Sequence, residues 1–462
     1  MAVVQTSRRL QARIMETIKY HDSRDEGGGC IFAPYVTFHN PSDGWKLGLQ
    51  YPEKFVALKI SQDFVNNLAD AVTADVEVKV STYKEMRRHL TDLEMVIVLK
   101  PSDGKGTLIL TEDPITLRYD VVLGDQEDMD KTAAAGLYPE NLNDVSNPSQ
   151  QMPLKQLKMD LLTKGTRTFR NGSCPATTLR GSTTEFILKW AAQTLGASTV
   201  KMAPTDNKSC PDNFPIPYQV TKPEDFFSFI QKDVNVYSKG LGAYYTNDTM
   251  YYFKLYETEK EGSPPNTSVL HIINGANTQY IGQDHYHCKV GQDLMILSLT
   301  TPTQETLNAL DAENQGTSFT MFNSGGQIDG RASVSKDGKK TLDPGAIVLE
   351  TQCVGASSST ANRMFHNGTS ADVYSATTAL AKHDGSAMSA TWQRAIPGSL
   401  EPGQHVVYHF DGQNGEYKTS QGILHGVMYQ STILGMEKNK PLIYFVAALK
   451  FFIEPENASA ET

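Results

Sequence analysis

Residues 220–257 read VTKPEDFFSFIQKDVNVYSKGLGAYYTNDTMYYFKLYE, and inside this stretch the apolar period changes from that of a helix to that of a strand. Thr221 and Glu224 have the spacing of a capping box, in which hydroxyl and carboxylate each satisfy an orphan amide of the first turn, and Pro223 is tolerated there. A helix is therefore expected to start at Thr221. Phe226, Phe227, Ile230 and Val234 fall on one apolar stripe, so that helix is a packing element. After Gly240 the pattern takes period two, with Tyr245, Tyr251, Phe253 and Leu255 disposed around an Asn247-Asp248 turn. This predicts a hairpin with aromatic side chains on both faces.

The rest of the chain divides by the same signals. Residues 1–53 read as an N-terminal helix and arm, with the glycines Gly27 to Gly29 as a flexible join. Residues 54–123 alternate β-branched runs (54–60, 75–80, 94–99, 107–111, 116–122) with one helical segment at 81–93, as a β-rich domain should. Residues 124–152 lose periodicity and gain Asp, Asn, Pro and Ser, which reads as a loop or arm. Residues 153–261 form a middle α+β domain with two capped helices, the first announced by Ser182 and Glu185 and stopped at Gly196. From 262 to 462 helical signals nearly vanish, and short apolar runs such as 406–410, 426–434 and 442–452 lie between Gly, Ser and Asn turns, as in a barrel or sandwich. The fold class expected is β-rich α+β, multi-domain.

Composition narrows the function. The formal net charge of −10 argues against a basic nucleic-acid-binding surface and against attachment to anionic membranes. No run has the roughly 18 to 20 apolar residues of a membrane span, and the N-terminus lacks the apolar core of a signal peptide, so neither a membrane role nor export by that route is expected. Five widely spaced cysteines with no C-x-x-C pair read as reduced thiols.

Candidate chemistry is sparse. In DHYHC (284–288), His285 and His287 would share one face of a strand and could supply two ligands of a metal site, but no third ligand is specified nearby. Asp103-Gly104-Lys105-Gly106 lacks the phosphate-loop frame and lies between two strands, where a hairpin turn is expected. No G-x-S-x-G elbow is present, and paired carboxylates such as Asp125 and Asp128, or Glu454 and Glu456, occur in solvated stretches. The aromatics of 244–256 could stack on sugar rings, whereas their alternation beside an amphipathic helix points to packing or subunit contact. The residues expected to do that are Phe226, Phe227, Ile230, Tyr244, Tyr245, Tyr251 and Phe253. No cofactor is expected.

The order of a helix, then DVNVYSKGLGAYYTNDTMYYFKLY, resembles the central segment of baseplate hub proteins from contractile-tailed bacteriophages. TTLRGSTTEFILKWAAQTLG (177–196) is similar to that family's earlier helix, and SLEPGQHVVYHFD with the later GVMYQSTI is similar to its L-x-PG strand and returning hairpin. The resemblance implies a non-enzymatic virion protein with two tail-tube-like β-barrel domains and a smaller helix-containing middle domain. It further implies a homotrimer whose barrels ring the DNA channel, partners in the tail tube, the central spike and neighbouring baseplate wedge proteins, and assembly in the host cytoplasm. An acidic balance suits a channel through which DNA slides without sticking. The alternatives are a baseplate wedge or tail-tube connector, a carbohydrate-binding or hydrolysing virion-associated β protein, and a metalloenzyme at His285 and His287.

Overall fold

The computed structural model describes residues 7–22, 30–102, 108–109, 113–122, 154–206, 208, 213–234, 236–237, 239–276, 286–300, 303–305, 316–322, 328–335, 340–344, 385–412, 414–437 and 440–454. The Gly27–Gly29 join, the 103–106 turn, the 124–152 arm and His285 lie outside them.

The strands before the middle domain are β1 (Ile31–His39), β2 (Lys46–Gly48), β3 (Lys54–Asp63), β4 (Ala71–Lys79), β5 (Glu94–Ser102), β6 (Ile115–Val122) and β7 (Leu154–Leu162). The two-residue period is clearest in β4, where Val72, Ala74, Val76 and Val78 are buried while Thr73, Asp75 and Glu77 are less so. Helix α1 (Arg8–Asp22) precedes them, and α2 (Val80–Arg88) follows β4 and buries Met86.

Next come α3 (Lys164–Asn171), β8 (Thr177–Arg180), α4 (Thr184–Thr194), β9 (Thr199–Met202), β10 (Asn213–Ile216), α5 (Pro223–Asp233), β11 (Leu241–Thr246) and β12 (Thr249–Lys254). The C-terminal part contributes β13 (Leu270–Asn274), β14 (His287–Val290), β15 (Asp293–Ser298), β16 (Thr303–Glu305), a separate three-stranded sheet of β17 (Gly316–Phe322), β18 (Ile328–Ser335) and β19 (Lys340–Pro344), then β20 (Ser386–Trp392), β21 (His405–Asp411), β22 (Tyr417–Glu437) and β23 (Lys440–Ile453).

Strand pairing closes a ring in the order β1-β5-β6-β7-β4-β3-β22-β23 and back to β1, every step antiparallel. That is an eight-stranded barrel, which leaves no open edge. A second curled sheet runs β14-β15-β13-β21-β22-β23-β20-β16, and its two arms approach where Thr391 N donates to Ser298 Oγ at 3.4 Å. In it β13 lies parallel to both β15 and β21.

Both barrels use the hairpin β22–β23, whose strands of 21 and 14 residues are long enough to serve two sheets. Residues 417–423 of β22 pair with β21 and residues 426–430 with β3, and a bulge between Leu424 and Gly426 marks the change of partner. Gly426 is required there, since a Cβ would meet Gln62 O at 2.7 Å.

The chain is thus β-rich α+β, with two barrels and a helix-containing middle unit. The barrels do not follow the expected limits of 54–123 and 262–462. The first takes β1 and β7 from outside 54–123 and is completed only by β22 and β23, because closure depends on hydrogen-bond partners that lie hundreds of residues away. Within 153–261, β7 therefore belongs to the first barrel, and the middle unit holds three α-helices among the described residues, α3 having gone unpredicted behind Gly165 and two threonines.

Cap positions also shift by one or two residues. Thr183, not Ser182, caps α4, accepting from Phe186 N. Helix α5 begins at Pro223 with Lys222 at the N-cap; Thr221 is in helical conformation (φ −75°, ψ −25°) at the end of a preceding 3-10 turn, so its hydroxyl cannot take the capping role.

Candidate functional site

The hairpin β11–β12 turns through Asn247 and Asp248, both left-handed at φ 48° and 56°, the conformation a two-residue hairpin demands and these side chains tolerate. This turn fixes the register, pairing Tyr244 with Tyr251 and Tyr245 with Met250. Gly242, Tyr244, Tyr251 and Phe253 consequently share one face, and Ala243, Tyr245, Met250 and Tyr252 the other. Tyr245 falls opposite Tyr251 and Phe253, which the simple alternation read from sequence did not separate.

The two faces enter different cores. Tyr244 and Phe253 join the core of the barrels, while Ala243, Tyr245, Met250 and Tyr252 join that of the middle unit together with Phe226, Phe227 and Ile230 of α5. Phe253 lies so close over Gly242 that a Cβ there would meet its ring at 2.4 Å. Tyr244 packs edge-on to Phe64 at 4.7 Å, and Tyr245 stacks on Phe169 of α3 at 4.6 Å. The hairpin is therefore the joint between the middle unit and the barrels.

At its centre is a carboxylate that the sequence reading missed. Asp70, in the β3–β4 connection, accepts from Gln62 Nε2 and Tyr244 OH on Oδ1 and from Thr246 Oγ1 on Oδ2, each at 2.9 Å. Arg170 of α3 donates to its backbone carbonyl, and Tyr245 N to that of Leu68. Burial pushes the Asp70 carboxyl above its ordinary range, against the three hydrogen bonds that favour the anion. The only local signal was one acid set between apolar pairs in Leu68-Ala69-Asp70-Ala71-Val72.

A second link runs to the second barrel. Lys201 Nζ of β9 lies 2.6 Å from Glu401 Oε1 and 5.4 Å from the centre of the Tyr251 ring. Tyr251 is 6% exposed, and Phe226, Phe227, Ile230, Tyr244, Tyr245 and Phe253 are also buried. Stacking on a sugar needs an open ring face, so these side chains present no carbohydrate platform on the chain as folded.

Other candidates resolve differently. His287 is buried at the start of β14; Trp392 Nε1 donates to its Nδ1 at 3.3 Å, and Cys30 Sγ lies 3.6 Å from its Nε2. Tryptophan can only donate, so the imidazole proton sits on Nε2 facing the sulfur, and the ring is not placed to act as a base toward Cys30. Among the described residues, no three His, Cys, Asp or Glu side chains group as a metal would need. Cys174 and Cys288 are unbridged, with burial pushing their thiols up to about 12 and about 11. Beside the first barrel, Pro41, Ser42, Asp92, Asp120, Lys164 and Arg167 line a cleft of about 380 Å³. Of its charges, Arg167 pairs with Asp120 at 3.3 Å, Lys164 with the buried Glu94 behind it at 2.7 Å, and Asp92 accepts from Ser42 Oγ at 2.7 Å. No helix among the described residues is long and apolar enough to cross a membrane.

No family model matches the sequence, and no curated protein matches it. Among solved structures, the chain is similar to the tail protein from Neisseria meningitidis MC58, at 12% identity and a TM-score of 0.42, over 92% of this chain and 97% of that one. It is similar to the 43 kDa tail protein of prophage MuSo2 from Shewanella oneidensis, at 10% identity and a TM-score of 0.43, over 91% and 96%. It is also similar to a chain of the Francisella PdpA-VgrG complex, at 9% identity and a TM-score of 0.39, over 99% and 67%.

Proposed function

We propose that this chain is a non-enzymatic structural subunit of a phage tail or related injection machine, and within it a baseplate hub that joins the tail tube to the central spike. The observation that carries the reading is the pair of barrels sharing the β22–β23 hairpin, with the middle unit bolted to both. A protomer bearing two barrels doubles the apparent symmetry of its oligomer, so three copies would surround a channel with six barrels. The resemblance of 177–257 and 399–433 to hub proteins supports the same reading, as does a net charge of −10 for a channel that DNA must traverse freely. Partners on this reading are two further copies, the tube above, the spike below and wedge proteins around, in a virion assembled in the host cytoplasm.

Native mass spectrometry and light scattering of the tag-free protein over a range of concentrations test it. A trimer, ring-shaped by electron microscopy, is the expected result; a hexamer would move the reading to a tube or connector subunit. A monomer at every concentration, with no ring, would overturn it.

A further inference from the structure

We draw no further inference here: the strongest candidate, the group of apolar side chains exposed at the end of the first barrel away from Asp70 (Tyr51, Leu90, Val122, Ile433, Leu434 and Met436), carries none, because nothing in the structure shows what covers it.

Discussion

Two elements, the middle unit and helix α1, dock on the barrels near buried titratable groups of opposite character. At the Asp70 joint, one carboxyl collects three donors from β3 and β11, and aromatic rings pack on both sides. At the α1 joint, Leu10 and Ile14 pack on the second barrel near an imidazole pair, His271 Nδ1 lying 2.9 Å from Nε2 of the buried His409. A carboxyl raised by burial holds a proton more readily folded than unfolded, so its contribution is fully present below the unfolded value of 3.8 and is lost as pH rises through the raised folded value. The depressed histidines do the reverse, contributing above 6.5 and losing it as pH falls toward about 3. Acid should therefore tighten one joint and loosen the other.

The largest test of this contrast is Tyr244→Ala, which removes a buried ring and one donor to Asp70; a loss of about 3–5 kcal/mol is expected in denaturant unfolding. Tyr244→Phe should lose only about 1–2 kcal/mol, and equal losses would mean that the hydrogen bond, not the ring, makes the joint. Asp70→Asn comes next, at about 1–3 kcal/mol near neutral pH, because its amide turns donors against donors. The same variant should abolish the gain in midpoint that the wild-type joint shows on acidification; a gain that persists assigns it to another group.

Leu10→Ala should weaken α1 docking by about 2–3 kcal/mol, read as faster exchange in Arg8–Asp22. The global midpoint should stay put, and a matching drop there would make α1 part of the barrel's cooperative unit. The smallest effect separates two caps. Thr183→Ala should lose about 1 kcal/mol, whereas Ser182→Ala should stay within about 0.5 kcal/mol.

Much of the local structure was legible. The apolar periods placed β3, β4, β5, β6, β21 and β23, and the Asn247-Asp248 pair placed the hairpin turn, since each depends on neighbours within a few residues. Caps were legible only to within a residue or two. Thr221 has the right partner at Glu224, but the 3-10 turn before it had already committed its backbone. The metal candidate His287 went to a hydrogen bond with Trp392, a residue 105 positions away.

The sequence by itself determined the period of each segment, the turn chemistry and the acidic balance, because all of these are sums over near neighbours. Tertiary structure alone decided that one hairpin serves two barrels, that Asp70 meets Tyr244 across 174 residues and that His271 meets His409 across 138. A strand edge offers the same amides and carbonyls to any partner, and a lone Asp or His looks the same in sequence whether it meets water or a buried donor. Those choices are made only when the sheets close.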